Sequence, residues 1–545
     1  MNKFPSIFAA YLAAALAFVV AMPAVADSDE ALSDALAGLT TKSFSKKAVA
    51  VDAVAQVDHP RTAGILDAML NGVLYYRKID ERVVIAEKTD DGYAITDAVT
   101  NALLGEVAKR EIKKISVNNK LRSQLRTAIA RLTLYAEDPA MRLKAVQNLT
   151  KDMDDDVAEL LRQRLPEEGN KKVRAAIDVA LALVALDGDD RAARLDAVAV
   201  LGESLNTEGR AKLSALLEKT EAGAYVEPDR AVRKAAEQAL VNIDSNLQFY
   251  RGVETVFFGL SLGSVLLLAA IGLAITFGVM GVINMAHGEL MMLGAYTTFV
   301  VQQLMPNHID YSLFVAIPAA FLVAGLTGIA IERGVIRFLY GRPLETLLAT
   351  FGISLILQQA VRTIFSPLNR SVETPSWMSG SWEINGVLSL TYNRLYIIVF
   401  ALLVFAALLL ILKKTPLGLQ VRAVAQNRAM ARAMGVRSGW VDAMTFGLGS
   451  GIAGVAGVAL SQLTNVGPNL GQAYIIDSFM VVVFGGVGNL WGTLVGAMSL
   501  GVVNKLLEPW SGAVLAKILV LVAIILFIQK RPRGLFPQRG RAAES

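Results

Sequence analysis

The distribution of apolar and polar positions changes near residue 250. Residues 27–248 mix Ala, Leu and Val with charges at helical spacing, whereas from about Phe249 onward long apolar runs follow one another with little interruption. A helix needs roughly 20 apolar residues to cross the ~30 Å hydrocarbon core of a bilayer. Segments of that kind lie near 253–277, 283–304, 311–331, 344–365, 394–412, 441–463 and 511–529, with a further stretch at 475–503. The pattern predicts an all-α chain: a helical domain over 27–248, a polytopic transmembrane helix bundle over 249–535 and a short tail at 536–545.

Within the first of these, Arg142-x-x-Ala145-x-x-x-Leu149, Arg174-x-x-Ile177-x-x-x-Leu181, Arg194-x-x-Ala197-x-x-x-Leu201 and Arg233-x-x-Ala236-x-x-x-Leu240 share one spacing. Offsets of three and seven place the small or apolar pair on one helical face, with each Arg a turn earlier. Asp138-Pro139 and Glu227-Pro228-Asp229 supply helix-start chemistry before two of the copies. Stacked helix pairs resembling HEAT-type repeats are expected, since one such repeat cannot bury its apolar face alone. Residues 1–26 carry Lys3, an apolar stretch from Ile7 to Met22 and Ala24-Val25-Ala26, the layout of a secretory signal peptide. Cleavage after Ala26 would leave the repeat domain on the periplasmic side.

Charge then orients the bundle. Loop 332–343 has Arg333, Arg337 and Arg342, loop 413–440 has Lys413, Lys414, Arg422, Arg428, Arg432 and Arg437, and the tail adds Lys530, Arg531, Arg533, Arg539 and Arg541. Loops 305–310 and 464–474 have no Lys or Arg, and 366–393 has only Arg370. By the positive-inside rule the basic loops and the C-terminus face the cytoplasm of a bacterial inner membrane. Parity after residue 464 allows one net crossing, so 475–503, centred on Phe484-Gly-Gly-Val-Gly-Asn-Leu-Trp-Gly492, is expected as a re-entrant hairpin turning at Gly485 to Asn489.

Composition removes whole classes of chemistry. The chain has no cysteine and three histidines, which excludes thiol catalysis and disulfides. No Gly-Lys pair occurs anywhere, so there is no phosphate loop and the chain is not an ATPase. A membrane-embedded enzyme lacks its metal cluster or nucleophile, because only His287 and His308 fall in the membrane half. A signalling receptor lacks a cytoplasmic domain. Nothing points to nucleic acid.

What remains is polarity at membrane depth. Gly278-Val-Met-Gly-Val-Ile-Asn-Met-Ala-His-Gly-Glu289 interrupts two apolar runs with Asn284, His287 and Glu289, groups that are costly in lipid and survive beside a bundle interior or water path. With Gln358, Gln359 and Asn489 they are the candidate residues of a translocation pathway. Each amide equally suits a tie between helices, and His287 and Glu289 suit support of the broken backbone near the inner surface somewhat better than contact with solute. Loop 413–440, bracketed by Pro416 and Gly435, predicts a short amphipathic helix able to bind anionic membrane lipid or a cytoplasmic protein.

The Gly278–Glu289 run, the Leu417-Gly418…Arg422-Ala423…Asn427…Ala431…Gly435 loop and the Phe484–Trp491-Gly492 segment together resemble the permease subunits of branched-chain-amino-acid-type ABC importers, over roughly residues 250–535. The resemblance implies alternating access and no cofactor in this chain, with ATP and Mg²⁺ bound by partner subunits. It implies four kinds of contact: a second related permease, two cytoplasmic ATP-binding subunits, a periplasmic solute-binding protein and membrane lipid. It also implies that Leu417, Gly418, Arg422, Ala423, Asn427, Arg428, Ala431 and Gly435 form the coupling helix against the ATP-binding subunit. The long N-terminal extension resembles that of the urea-importer permeases of this family, which favours urea over short amides or branched-chain amino acids.

Overall fold

A computed structural model of the chain describes residues 23–536 apart from 90, 91, 152, 154, 222 and 386. The signal peptide expected over 1–26 therefore lies almost wholly outside the described residues, as does most of the 536–545 tail. The chain divides into two compact units, residues 1–245 and 246–545.

The first unit is not all helix. After α1 (Pro23–Ala37), α2 (Phe44–Ala55) and α3 (Thr62–Leu70) come β1 (Leu74–Arg77), β2 (Val83–Lys88), β3 (Tyr93–Asp97), β4 (Leu103–Val107) and β5 (Ile112–Lys114). They form an antiparallel sheet in the order β4-β3-β2-β1-β5, which corrects the all-α expectation. Val83-Val84-Ile85-Ala86 is buried on both sides: Leu74 and Val83 join the helical core, while Val84, Ala86, Ile95 and Ile112 form a second cluster. Such a strand reads as a continuous apolar run rather than an alternation, and periodicity alone does not separate it from a buried helix.

α4 (Asn119–Thr133), α5 (Pro139–Thr150), α6 (Asp155–Arg164), α7 (Lys171–Ala185), α8 (Arg191–Glu203) and α9 (Thr207–Leu216) follow, with α4 packed on α5, α5 on α7 and α7 on α8. Ala145, Leu149, Ile177, Ala197, Leu201 and Ala236 are buried. The Arg of each copy reaches back to the turn before its own helix. Arg142 Nη1 donates to the Ala136 and Glu137 carbonyls at 2.7 and 2.8 Å, and Arg233 Nη1 donates to those of Glu227 and Pro228 at the same distances. Arg174 and Arg194 donate likewise to the Leu165 and Leu186 carbonyls. Each guanidinium thus satisfies carbonyls that a connection between helices leaves open.

α10 (Arg230–Met280) carries the chain into the second unit, followed by α11 (His287–Leu304), α12 (Ile309–Gly334), α13 (Pro343–Phe365), α14 (Tyr392–Lys414), α15 (Pro416–Gln426), α16 (Arg428–Ala433), α17 (Ser438–Ser461), α18 (Leu470–Gly485) and α19 (Leu490–Lys530). Among the described residues six helical segments are long and apolar enough to cross a membrane. α17 is the central one, buried along almost its whole length against α11 and α12. Gly454 lies against Ala320, Gly294 against Gly454, and Gly457 against the Met291 carbonyl, leaving no room for a methyl group at those positions. Close backbone approach of this kind replaces the hydrophobic effect as the source of helix association in lipid.

α19 is broken at Gly512, where φ is 75° and ψ 162°. Its first arm runs beside α10, with Gly259 near Val502 and Gly263 near Met498, while its second arm runs beside α18, with Lys517 Nζ 3.0 Å from Asp477 Oδ2 and the Phe484 and Phe527 rings 5.0 Å apart. The turn between α18 and α19 spans residues 486–489 and is held by backbone bonds from Leu535 to Phe484 and from Phe536 to Gly485. α18 has 16 residues, which at 1.5 Å per residue is about 24 Å.

Candidate functional site

α10 ends at Met280, and Gly281, at φ 67°, turns the chain out of the helix. The next five residues have no regular structure, yet Asn284, His287 and Glu289 are at most 1 % exposed. Irregular backbone among spanning helices is tolerated only where its N–H and C=O groups find partners. Here side chains provide them: Met285 N–H donates to Thr350 Oγ1 at 3.1 Å, and Ala286 N–H to Asn284 Oδ1 at 3.0 Å. His287 Nε2 lies 2.9 Å from the Ala269 carbonyl, which only accepts, so Nε2 carries the proton.

Facing this break is a polar stripe on α13. Thr346, Thr350, Ser354 and Gln358 recur every fourth residue and are all buried, while Leu344, Leu348, Phe351, Leu355 and Ile356 are exposed on the same helix. Glu289 Oε1 accepts from Ser354 Oγ at 3.0 Å and from Gln358 Nε2 at 2.7 Å. Tyr296, seven residues after Glu289 and so on the same face of α11, packs its ring 4.8 Å from that of Phe365 on α13. Glu289 Oε2, Tyr296 Oη, Asn284 Nδ2 and His287 Nδ1 are buried without a hydrogen-bond partner, and no ion pair is seen at Glu289 among the described residues. A carboxyl group left half-satisfied at such depth is expensive unless something else binds it.

The pathway candidates therefore separate in space. Asn284, Glu289 and Gln358 lie along one seam between the break, α11 and α13. His287 leaves the same break toward Ala269 on α10. Gln359, about 100° round α13 from Gln358, is exposed. Asn489 caps α19, accepting from the Trp491 and Gly492 amides at 3.1 and 3.2 Å and donating to the Phe536 carbonyl at 3.2 Å. It lines a separate cleft of about 350 Å³ with Gly278, Lys413 and Arg422. Thr350, Ser354 and Tyr296 escaped the sequence reading, although the four-residue polar spacing from Thr346 to Gln358 marks one face of a helix.

Loop 415–437 forms two helices rather than one. Thr415 caps α15 by accepting from the Gly418 amide, and Asn427, in extended conformation at φ −152° and ψ 102°, ends α15 and caps α16 by accepting from the Met430 amide. Val421, Val424 and Ala431 are buried against Val441, Leu417 and Ala423 pack beside them, and Gly418 abuts the Leu412 carbonyl. Gly435, at φ 86°, closes the loop. Leu419, Arg422, Met430 and Met434 are exposed. Arg428 turns inward: its Nη1 and Nη2 bind Asp442 at 2.8 and 2.9 Å, Nη2 also meets Tyr340 Oη at 2.8 Å, and the guanidinium lies 4.2 Å from the Tyr340 ring centre. Burial holds the Tyr340 hydroxyl above its ordinary range.

A spanning bundle with a broken, polar-lined segment and a basic two-helix loop is the architecture of a membrane permease. Residues 255–528 match the family described as branched-chain amino acid transport system / permease component, and the chain belongs to that family. It is 32 % identical over 298 residues to the high-affinity branched-chain amino acid transport system permease protein LivH of Salmonella typhimurium, covering 53 % of this chain and 96 % of LivH. It is 30 % identical over 297 residues to the permease protein BraD of Pseudomonas aeruginosa, with the same coverage. A more distant relative, the ribose import permease protein RbsC of Haemophilus influenzae, is 24 % identical over 281 residues, covering 48 % of this chain and 81 % of RbsC. The chain is thus an ABC importer permease of the branched-chain amino acid type and a multi-pass membrane protein.

Proposed function

We propose that this permease carries a small solute rich in N–H groups inward along the seam between α11 and α13, with Glu289 Oε2 as the acceptor that meets it. The half-satisfied carboxylate is the observation that supports this reading. Donors on the solute would take the place of the water that Glu289 has lost, and Ser354 and Gln358 hold the other oxygen so that the free one keeps a defined direction. Thr350 and Asn284 keep the break open by satisfying its backbone. Alternating exposure of the seam to the two sides needs energy that enters as differential binding of partners to the two states. The exposed face of α15 and α16, with Leu419, Arg422, Met430 and Met434, suits a docking groove on a cytoplasmic ATP-binding subunit, which would hold ATP and Mg²⁺. A second permease and a periplasmic binding protein complete the assembly, with basic loops cytoplasmic and the N-terminal unit, helices and sheet together, periplasmic.

Urea is the proposed solute, on the strength of the N-terminal extension. A second reading, branched-chain amino acids, is favoured by the names of the relatives; it places the ammonium group at Glu289. Radiolabelled uptake in a strain deleted for this chain and complemented with it decides between them. Urea outcompeting leucine supports the first reading, leucine outcompeting urea the second. Uptake that persists after the ATP-binding partner is inactivated contradicts the importer assembly itself.

A further inference from the structure

Both halves of the basic loop rest on α17, α15 through apolar side chains and α16 through charged and polar ones as well. α15 seats Gly418 against the Leu412 carbonyl of α14, and its Val421, Arg422 and Ala425 border a cleft shared with α10, α14 and the start of α19. Val421 and Val424 of α15 also pack against Val441 of α17, and α16 adds polar ties to the same helix. Arg428 grips Asp442 with both ends of its guanidinium, and Arg432 Nε donates to Ser438 Oγ at 2.7 Å. Asp442 is 2 % exposed, so the ion pair is shielded from solvent on the carboxylate side, and Tyr340, from the connection between α12 and α13, closes over it. Between the two halves stands Asn427, whose extended backbone interrupts the helix. The route continues through α17, which meets α11 backbone to backbone at Gly457 and Met291, two residues from Glu289.

A planar, bidentate, stacked guanidinium transmits direction as well as charge, which a flexible ammonium does not. α17 has no slack against α11, because glycine contacts leave no side chain between the two backbones. We propose that Arg428, Asp442 and Tyr340 form a joint that hands movement of the basic loop to α17 and so to Glu289. Arg428 and Asp442 are positioning residues in this scheme, which rests on the permease reading given above.

The test compares solute uptake with ATP hydrolysis by the intact importer in membranes from the chain's own host, alongside the membrane level of the chain. Asp442→Asn and Arg428→Lys are expected to lower solute moved per ATP hydrolysed by roughly 2- to 30-fold, with the level of the chain unchanged. Arg428→Glu is expected to uncouple more strongly, and Arg428→Glu combined with Asp442→Arg to recover part of the coupling by restoring the pair in reverse. Wild-type coupling in Asp442→Asn and Arg428→Lys overturns the joint. So does a fall in uptake and hydrolysis that only tracks a fall in chain level, which reduces the pair to a folding brace. Failure of the permease reading shows separately, as absence of partner-dependent uptake by the wild-type chain, and removes both.

Discussion

Both units of the molecule bury glutamates, and Glu168 in one and Glu289 in the other are treated in opposite ways. Glu168 in the first unit receives Arg142 through Nε and Nη2 at 2.8 and 2.9 Å, the Asn170 amide at 2.8 Å and Arg164 at 3.5 Å. Arg142 beside it holds its carboxyl down to about 2. Glu289 in the second unit receives two neutral donors on one oxygen and nothing on the other. A buried charge whose lone pairs are all used is architecture, because removing either partner strands the other. A buried carboxyl group with one oxygen idle has capacity left for a further partner, and here it lies beside a break in the helix.

The comparison is broken or sharpened by substitutions of decreasing expected size. Glu168→Ala strands Arg142 in the first unit and is expected to cost about 3–5 kcal/mol of that unit's stability, read as a lower thermal midpoint by circular dichroism of the purified chain. The same pair sets a pH window. Because the folded carboxyl titrates near 2 rather than near 4.5, its contribution is complete above about 4.5 and fades as pH falls toward 2. Glu168→Gln is expected to flatten the acid loss of stability in that window, and an unchanged acid profile contradicts the assignment.

Glu289→Ala is expected to leave the amount of chain in the membrane unaltered and to lower uptake by about 1.5–3 kcal/mol of lost binding, roughly 10- to 150-fold. A loss of chain without loss of specific uptake would make Glu289 architecture like Glu168. Gln359→Leu is expected to change uptake less than about twofold, since its side chain faces away from the seam; surface positions away from such features are typically worth under about 0.5 kcal/mol. A large effect there would place the path on the exposed face of α13.

Much of this arrangement was legible in residues 278–289, where Asn284, His287 and Glu289 interrupt a spanning pattern, and in three motifs whose order carried the family. Other parts were hidden for physical reasons. Val83 to Ala86 is apolar on both faces of a sheet, so its period of two is invisible and a helical reading absorbed it. The α13 stripe is built from Thr346, Thr350 and Ser354, small hydroxyl residues common in spanning helices, and only the partner Glu289 gives them meaning. Asn427 looks like one more polar residue in an amphipathic loop; its role as cap and break depends on where α17 begins. The inward turn of Arg428 was equally unreadable, because Asp442 lies fourteen residues later and Tyr340 on another connection.

The central claim is that the seam between α11 and α13 is the solute's path. The chain has no cysteine, so Ser354→Cys introduces a single thiol beside Glu289. Labelling of that thiol in membranes by a small hydrophilic methanethiosulfonate reagent, with and without transported solute, tests the claim most directly. The account predicts that the thiol reacts in the working importer and that solute slows the reaction. A thiol that stays inert in every state of the importer, while uptake by the variant continues, would contradict it.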